Sequence, residues 1–270
     1  FTFKIIEYLL YIYIFRIVKK KIKFYLTSKN RRIRYSLINR EKGLVLIFFH
    51  GFMSDMVGEK PLSFELFAKK LKIGFLRFEY SGHGKSSGKF INGSISEWSD
   101  DAKDLIKNKI PKNKKIIFIG SSMGSWIALN LAKYFKKQLV GFVGIASAPE
   151  FTEKIMWRHF TQKMRNQILK NNIVELENDY KSTYPITKKL IFDGRKNKVF
   201  SNIRLKIPAI LFHGTNDKTV PIIFSKRTLK LFNNKKKKLF IIKNGDHSLS
   251  KKINLKKINT EIKKLIKQIF

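Results

Sequence analysis

A chain of 270 residues can bury a sizeable core, so one α/β domain with an insertion is the expected organisation. It holds no cysteine, which excludes disulfides, thiolate metal sites and a cysteine nucleophile. Its 57 basic and 19 acidic residues give a formal charge of +38, but the lysines are spread along the whole chain, which favours a solvated basic surface over a nucleic-acid face. Such a field would still draw anionic esters or thioesters.

Taken in chain order, residues 1–21 read as an N-terminal extension. Ile5 to Val18 is apolar and aromatic, but Glu7 and Arg16 interrupt it, and the run falls short of the roughly 20 residues a bilayer span needs. No Ala, Gly or Ser precedes Ser28, so the small-residue cleavage site of a secretory signal is missing. Neither a transmembrane helix nor export is expected, and the location expected is cytoplasmic. A membrane-surface anchor, with Lys19–Lys21 at the headgroups, is the functional alternative to an accessory extension.

From there strands and helices alternate, the pattern of a mostly parallel sheet covered on both faces by helices. Tyr25 to Ser28 and Ile33 to Ile38 form a leading hairpin around Asn30. Leu44 to Phe49 is a continuous apolar run, as expected of a strand buried on both faces. A helix from Pro61 to Leu71, a strand from Ile73 to Phe78 and a helix from Ile95 to Ile110 follow. Ile116 to Ile119, Leu139 to Ile145, Ala209 to Phe212 and Leu239 to Ile242 supply further strands. Leu255, Ile258, Ile262, Leu265 and Ile269 recur at helical spacing and close the chain. The alternation breaks between Phe151 and Lys206, where no clear strand and several helical fragments are expected. Residues 151–206 thus read as a cap inserted into a core of 22–150 and 207–270. Within it Met156, Trp157, Phe160 and Met164 fit helical spacing and face either the core or an acyl group.

The chemistry concentrates in Gly120-Ser121-Ser122-Met123-Gly124, a G-x-S-x-G pattern that directly follows a strand and opens a helix. That context puts Ser122 on a sharp turn that exposes its hydroxyl, as in the nucleophile elbow of the α/β-hydrolase fold. Ser121, one position off, reads as a neighbour. A serine nucleophile needs a base and an orienting acid, which follow it in the order Ser, acid, His. His50 and His83 precede Ser122, His159 lies in the cap, and a turn role suffices for His213. His247, after the last strand, is left as the base. Asp217 follows the preceding strand and is the acid; Asp246, beside the histidine, and Asp193, in the cap, are its rivals. The backbone N–H groups of Phe52 and Met123 are the expected oxyanion donors. His50, Ser54 and Asp55 read as residues that order the loop.

Gly51 to Met56, Arg77 to Ser86, the Ser122 pentapeptide and Asp246-His247 together resemble the α/β-hydrolase-domain branch that contains the mitochondrial palmitoyl-protein thioesterase and acyl-glucuronide esterase, with its bacterial relatives. The resemblance runs from about Ile22 to Lys252. It implies hydrolysis of acyl esters or thioesters through an acyl-serine, without cofactor or metal, at Ser122, Asp217 and His247. Glu79 departs from the aspartate usual there.

Overall fold

The computed structural model describes residues 22–39, 41–177 and 183–270. The extension 1–21, with its Lys19–Lys21 run, lies outside the described residues. The β-strands β1 (Ile22–Leu26) and β2 (Arg32–Ile38) pair antiparallel, with Asn30 at φ 57° in the turn between them. They extend a parallel set formed by β3 (Leu44–Phe49), β4 (Gly74–Phe78), β5 (Lys115–Ser121), β6 (Leu139–Ile145), β9 (Ala209–Gly214) and β10 (Lys237–Ile242). The sheet order is β1-β2-β4-β3-β5-β6-β9-β10, so the parallel set begins at β3, adds β4 on one side and then continues outward on the other from β5 to β10. This is the architecture of an α/β-hydrolase.

The period-2 alternation of side chains divides the continuous apolar strands between two cores. In β3, Val45, Ile47 and Phe49 enter one core while Leu44, Leu46 and Phe48 enter the other, and all six are buried. The first core is covered by α2 (Ile95–Lys109) and α3 (Met123–Ala132), the second by α1 (Glu59–Lys70) and α7 (Lys252–Ile269). In α7, Ile258, Ile262 and Leu265 lie on one stripe and are at most 1% exposed. Each contributes roughly 2 kcal/mol of burial, so the terminal helix is integral to the fold. Between the sheet and α1 the buried Arg77 guanidinium donates to Glu65 at 2.7 Å and to the Met56 carbonyl at 2.5 Å, fixing the loop that leads from β3 into α1.

Between β6 and β9 the chain forms a single π-helical turn (Thr152–Trp157), α4 (Gln162–Asn171), β7 (Ile173–Glu177), β8 (Thr183–Thr187) and α5 (Lys188–Lys196). β7 and β8 pair antiparallel, which corrects the expectation of an insertion without strands. Both strands have five residues, one carries Pro185, and their Ile, Val and Leu alternate with charged or hydroxylated residues, a pattern too short to outweigh the helical spacing around it. A two-stranded sheet lets Pro185 face away from the ladder. Phe160 is buried, whereas Met156, Trp157 and Met164 are half-buried against the first core. Among the described residues, no helix is long and apolar enough to cross a membrane.

Candidate active site

β5 runs directly into α3, and the residue between them is Ser122, at φ 51° and ψ −119°. L-residues rarely adopt this backbone, and holding it costs about 1–3 kcal/mol. The turn is pinned because the Ser122 N–H donates to the Ile145 carbonyl at 2.8 Å, at the end of β6. The flanking glycines make this approach sterically feasible. A Cβ on Gly120 would lie 2.5 Å from the Ser125 nitrogen, and one on Gly124 would lie 2.6 Å from the His50 oxygen. The elbow therefore packs backbone to backbone against the end of β3.

The side chains expected to form a triad meet here. Ser122 Oγ lies 3.1 Å from His247 Nε2, and His247 Nδ1 lies 2.8 Å from Asp217 Oδ2. A carboxylate only accepts, so Nδ1 carries the proton and Nε2 is free to accept from the serine hydroxyl. The other oxygen of Asp217 accepts from the Thr219 and Val220 N–H groups at 3.0 and 2.9 Å. Burial alone would raise the Asp217 pKa. The bond and charge of His247, the Val220 amide and His213 outweigh it, so the carboxyl titrates below the ordinary aspartate value. Asp217 side-chain exposure is 1% against 28% for His247, so the carboxylate sits behind the imidazole, which lies at the surface of the site.

The rivals are placed elsewhere. Asp246 accepts from the Leu249 N–H at 2.7 Å and shapes its own loop. Asp193 accepts from the Ser96 N–H at 2.8 Å, adding to the Ser94 cap at the start of α2 and tethering α5 there. His159 is exposed on the insertion, bonded to the Ile155 carbonyl. Asp55 accepts from the Val57 and Gly58 amides, as a loop-ordering residue should.

The loop after β3 contributes the second wall. His50 is 1% exposed, with Nδ1 2.8 Å from the Gly51 carbonyl and Nε2 facing the Tyr80 N–H at 3.4 Å. Burial, then the charge of His83, hold its pKa well below the usual histidine value, so it stays neutral with the proton on Nδ1. By holding the Gly51 carbonyl, His50 fixes the plane of the Gly51–Phe52 peptide and with it the direction of the Phe52 N–H. Neither that N–H nor the Met123 N–H donates to another group among the described residues. The Phe52 ring packs 5.0 Å from Phe90, 5.5 Å from Phe151 and 6.5 Å from Tyr184, so one aromatic cluster joins this loop to β8.

Two neighbours of the site were not assigned to it from sequence. His213, read as a turn residue, is fully buried behind Asp217, and the signal was its place four residues before that aspartate. Lys60 of α1 donates to the Ser248 carbonyl at 2.6 Å and to the Ser248 and Ser250 hydroxyls at 3.3 Å, clasping the loop that follows His247. Burial lowers its pKa to about 8. No local pattern links positions almost 190 residues apart.

Residues 40–193 match the family model described as serine aminopeptidase, S33. The chain is 26% identical over 227 residues to the mitochondrial palmitoyl-protein thioesterase ABHD10 of Bos taurus, covering 83% of this chain and 73% of that protein. The rat protein is 29% identical over 179 residues, 65% of this chain and 59% of the relative. A solved structure from Agrobacterium vitis S4 superposes with a TM-score of 0.84 at 30% identity, covering 91% of this chain and 99% of the other. Mouse α/β hydrolase domain-containing protein 10 superposes at 0.82 with 24% identity, covering 92% and 99%. The matched segment holds both the Gly51–Phe52 loop and the Ser122 elbow, and the chain belongs to the serine aminopeptidase S33 family of α/β-hydrolases.

Proposed function

We propose that the chain hydrolyses acyl esters or thioesters through an acyl-serine intermediate, with Ser122 as nucleophile, His247 as base and Asp217 as the orienting acid. The observation that carries this reading is the Ser122–His247–Asp217 alignment, at 3.1 and 2.8 Å, on a strained strand-to-helix elbow. The hydroxyl attacks the acyl carbonyl while His247 Nε2 takes its proton, and Asp217 stabilises the imidazolium. The oxyanion forms where the Phe52 and Met123 amides converge, beside the positive end of α3. His247 then protonates the leaving alcohol or thiol. Water repeats the sequence: His247 takes its proton, the hydroxide oxygen binds the acyl carbon, and Ser122 leaves with the proton returned.

The substrate class is supported by the palmitoyl-protein thioesterases among the relatives and by the aromatic wall of Phe52, Phe90 and Phe151 beside the oxyanion donors. Residues 151–206 act in this reading as a cap over the acyl group, on a core of 22–150 and 207–270. In this proposal the enzyme works in the cytoplasm, with peripheral membrane association as the alternative. Ser122→Ala tests the assignment: the variant should keep its fold and lose both turnover of a p-nitrophenyl ester and labelling by a fluorophosphonate. Retained labelling would reject Ser122. A panel of acyl thioesters and p-nitrophenyl esters of rising chain length then reads the substrate directly.

A further inference from the structure

The mechanism above leaves unused a buried titratable side chain that touches Asp217. His213, next to last in β9, has no exposed surface, and three polar groups surround its ring. Nε2 lies 2.9 Å from the Val220 carbonyl and 3.3 Å from Asp217 Oδ2, and Nδ1 lies 2.8 Å from Ser225 Oγ, on α6 (Ile223–Leu229). A carbonyl and a carboxylate both accept only, so the proton sits on Nε2 and the Ser225 hydroxyl donates to the bare Nδ1. Burial lowers the His213 pKa against the opposing pull of Asp217, with His247 the other titratable group acting on it. The ring is therefore neutral. A cationic His213 would compete with the His247 imidazolium for the same carboxylate.

Val220 closes the arrangement from both ends. Its N–H donates to Asp217 Oδ1 and its carbonyl accepts from His213, each at 2.9 Å. One carboxylate oxygen is thus held by the turn, and the other lies between two imidazoles, 2.8 Å from His247 and 3.3 Å from His213. A carboxylate rotates readily about its last bond; the turn amides hold Oδ1, and the His213 Nε2–H is the second restraint, acting on the oxygen that faces His247.

We propose that His213 is a positioning residue for Asp217: its Nε2–H, shared between the Val220 carbonyl and Asp217 and backed by Ser225 on Nδ1, holds Oδ2 in the orientation that His247 requires. This rests on the reading of Asp217 as the acid of the triad. The test compares His213→Leu, which keeps volume and removes the donor, with His213→Gln, whose amide nitrogen reaches the place of Nε2. Steady-state constants with a p-nitrophenyl ester, the pH profile of kcat/KM, thermal midpoints and fluorophosphonate labelling are measured on the full chain.

For His213→Leu, kcat falls about 10- to 100-fold, as for an angstrom-scale misplacement of a catalytic group, while KM stays within about twofold. The acid limb of its profile moves to lower pH, because a misaligned carboxylate no longer stabilises the imidazolium. His213→Gln recovers most of kcat. Wild-type kcat in the Leu variant, or equal losses of kcat and thermal midpoint in both variants with no displacement of the acid limb, would overturn the proposal. If the Leu variant does not fold, His213→Asn decides: its amide reaches only the place of Nδ1 and leaves Oδ2 without the donor, so kcat falls about tenfold with KM unchanged, whereas equal kcat in the Asn and Gln variants refutes the role. Labelled Ser122 with indifferent His213 variants sinks this inference alone. An unlabelled wild type sinks the triad reading itself.

Discussion

Gly124→Ala is expected to damage catalysis more than stability. A Cβ there would lie 2.6 Å from both the His50 oxygen and the Phe49 carbonyl carbon, and closer still to the Phe49 oxygen. Ordinary contact begins at 3.4 Å, so the shortfall is at least about 0.8 Å, and the obstacles are backbone atoms that cannot rotate away. Relief comes only by separating the first turn of α3 from the end of β3. Overpacking of this size costs about 1–3 kcal/mol, or roughly 2–5 °C in thermal midpoint for a chain of this length. That same separation moves Ser122 away from the Gly51–Phe52 peptide by up to an angstrom, which costs about 100-fold in kcat. Gly43→Ala is the control, since nothing lies within 4 Å of its added carbon, and it should stay within about 0.5 kcal/mol of wild type in stability and match it in rate. Ester hydrolysis and thermal unfolding of the two variants are the assays. A Gly124→Ala enzyme with wild-type kcat would refute the argument that this contact sets the elbow against the oxyanion loop.

Asp217→Asn should lower kcat about 10³- to 10⁴-fold by leaving His247 in the wrong tautomer, while Asp246→Asn costs less than about tenfold; steady-state kinetics of the pair separate the two aspartates. Acid stability should depend on His83, which is 4% exposed among Tyr80, Phe90 and Trp98, with Nε2 unpartnered among the described residues. Burial lowers its pKa to about 4 from 6.5. For a base depressed by folding, stability is full above pH 6.5 and is lost as pH falls through about 4, because the unfolded chain takes up the proton first. The loss is about 3 kcal/mol, so His83→Phe should flatten the fall in unfolding free energy between pH 7 and 4, read from urea melts, by that amount; an unchanged pH dependence would contradict the assignment.

The core strands were legible because strands buried on both faces must be apolar throughout, and β3 and β6 run over the very residues their patterns suggested. The elbow was legible because glycines on both sides of a serine between strand and helix have few other uses. That Asp217 rather than Asp246 lies against His247 was legible from the order of strands. The β7–β8 pair was hidden because five-residue strands with half-polar faces draw their stability from tertiary packing rather than local preference. The contacts of His213 and Lys60 were hidden for a related reason. They depend on how α6 and α1 settle against loops remote in sequence, and no local spacing encodes that.

The central claim is that the acyl group passes through Ser122. Mass spectrometry of peptides from enzyme quenched during turnover of a slowly deacylating ester tests this most directly. The account predicts one acyl addition on the peptide bearing Ser122, missing from Ser122→Ala. An acyl group on another residue, or sustained turnover by the alanine variant, would contradict it.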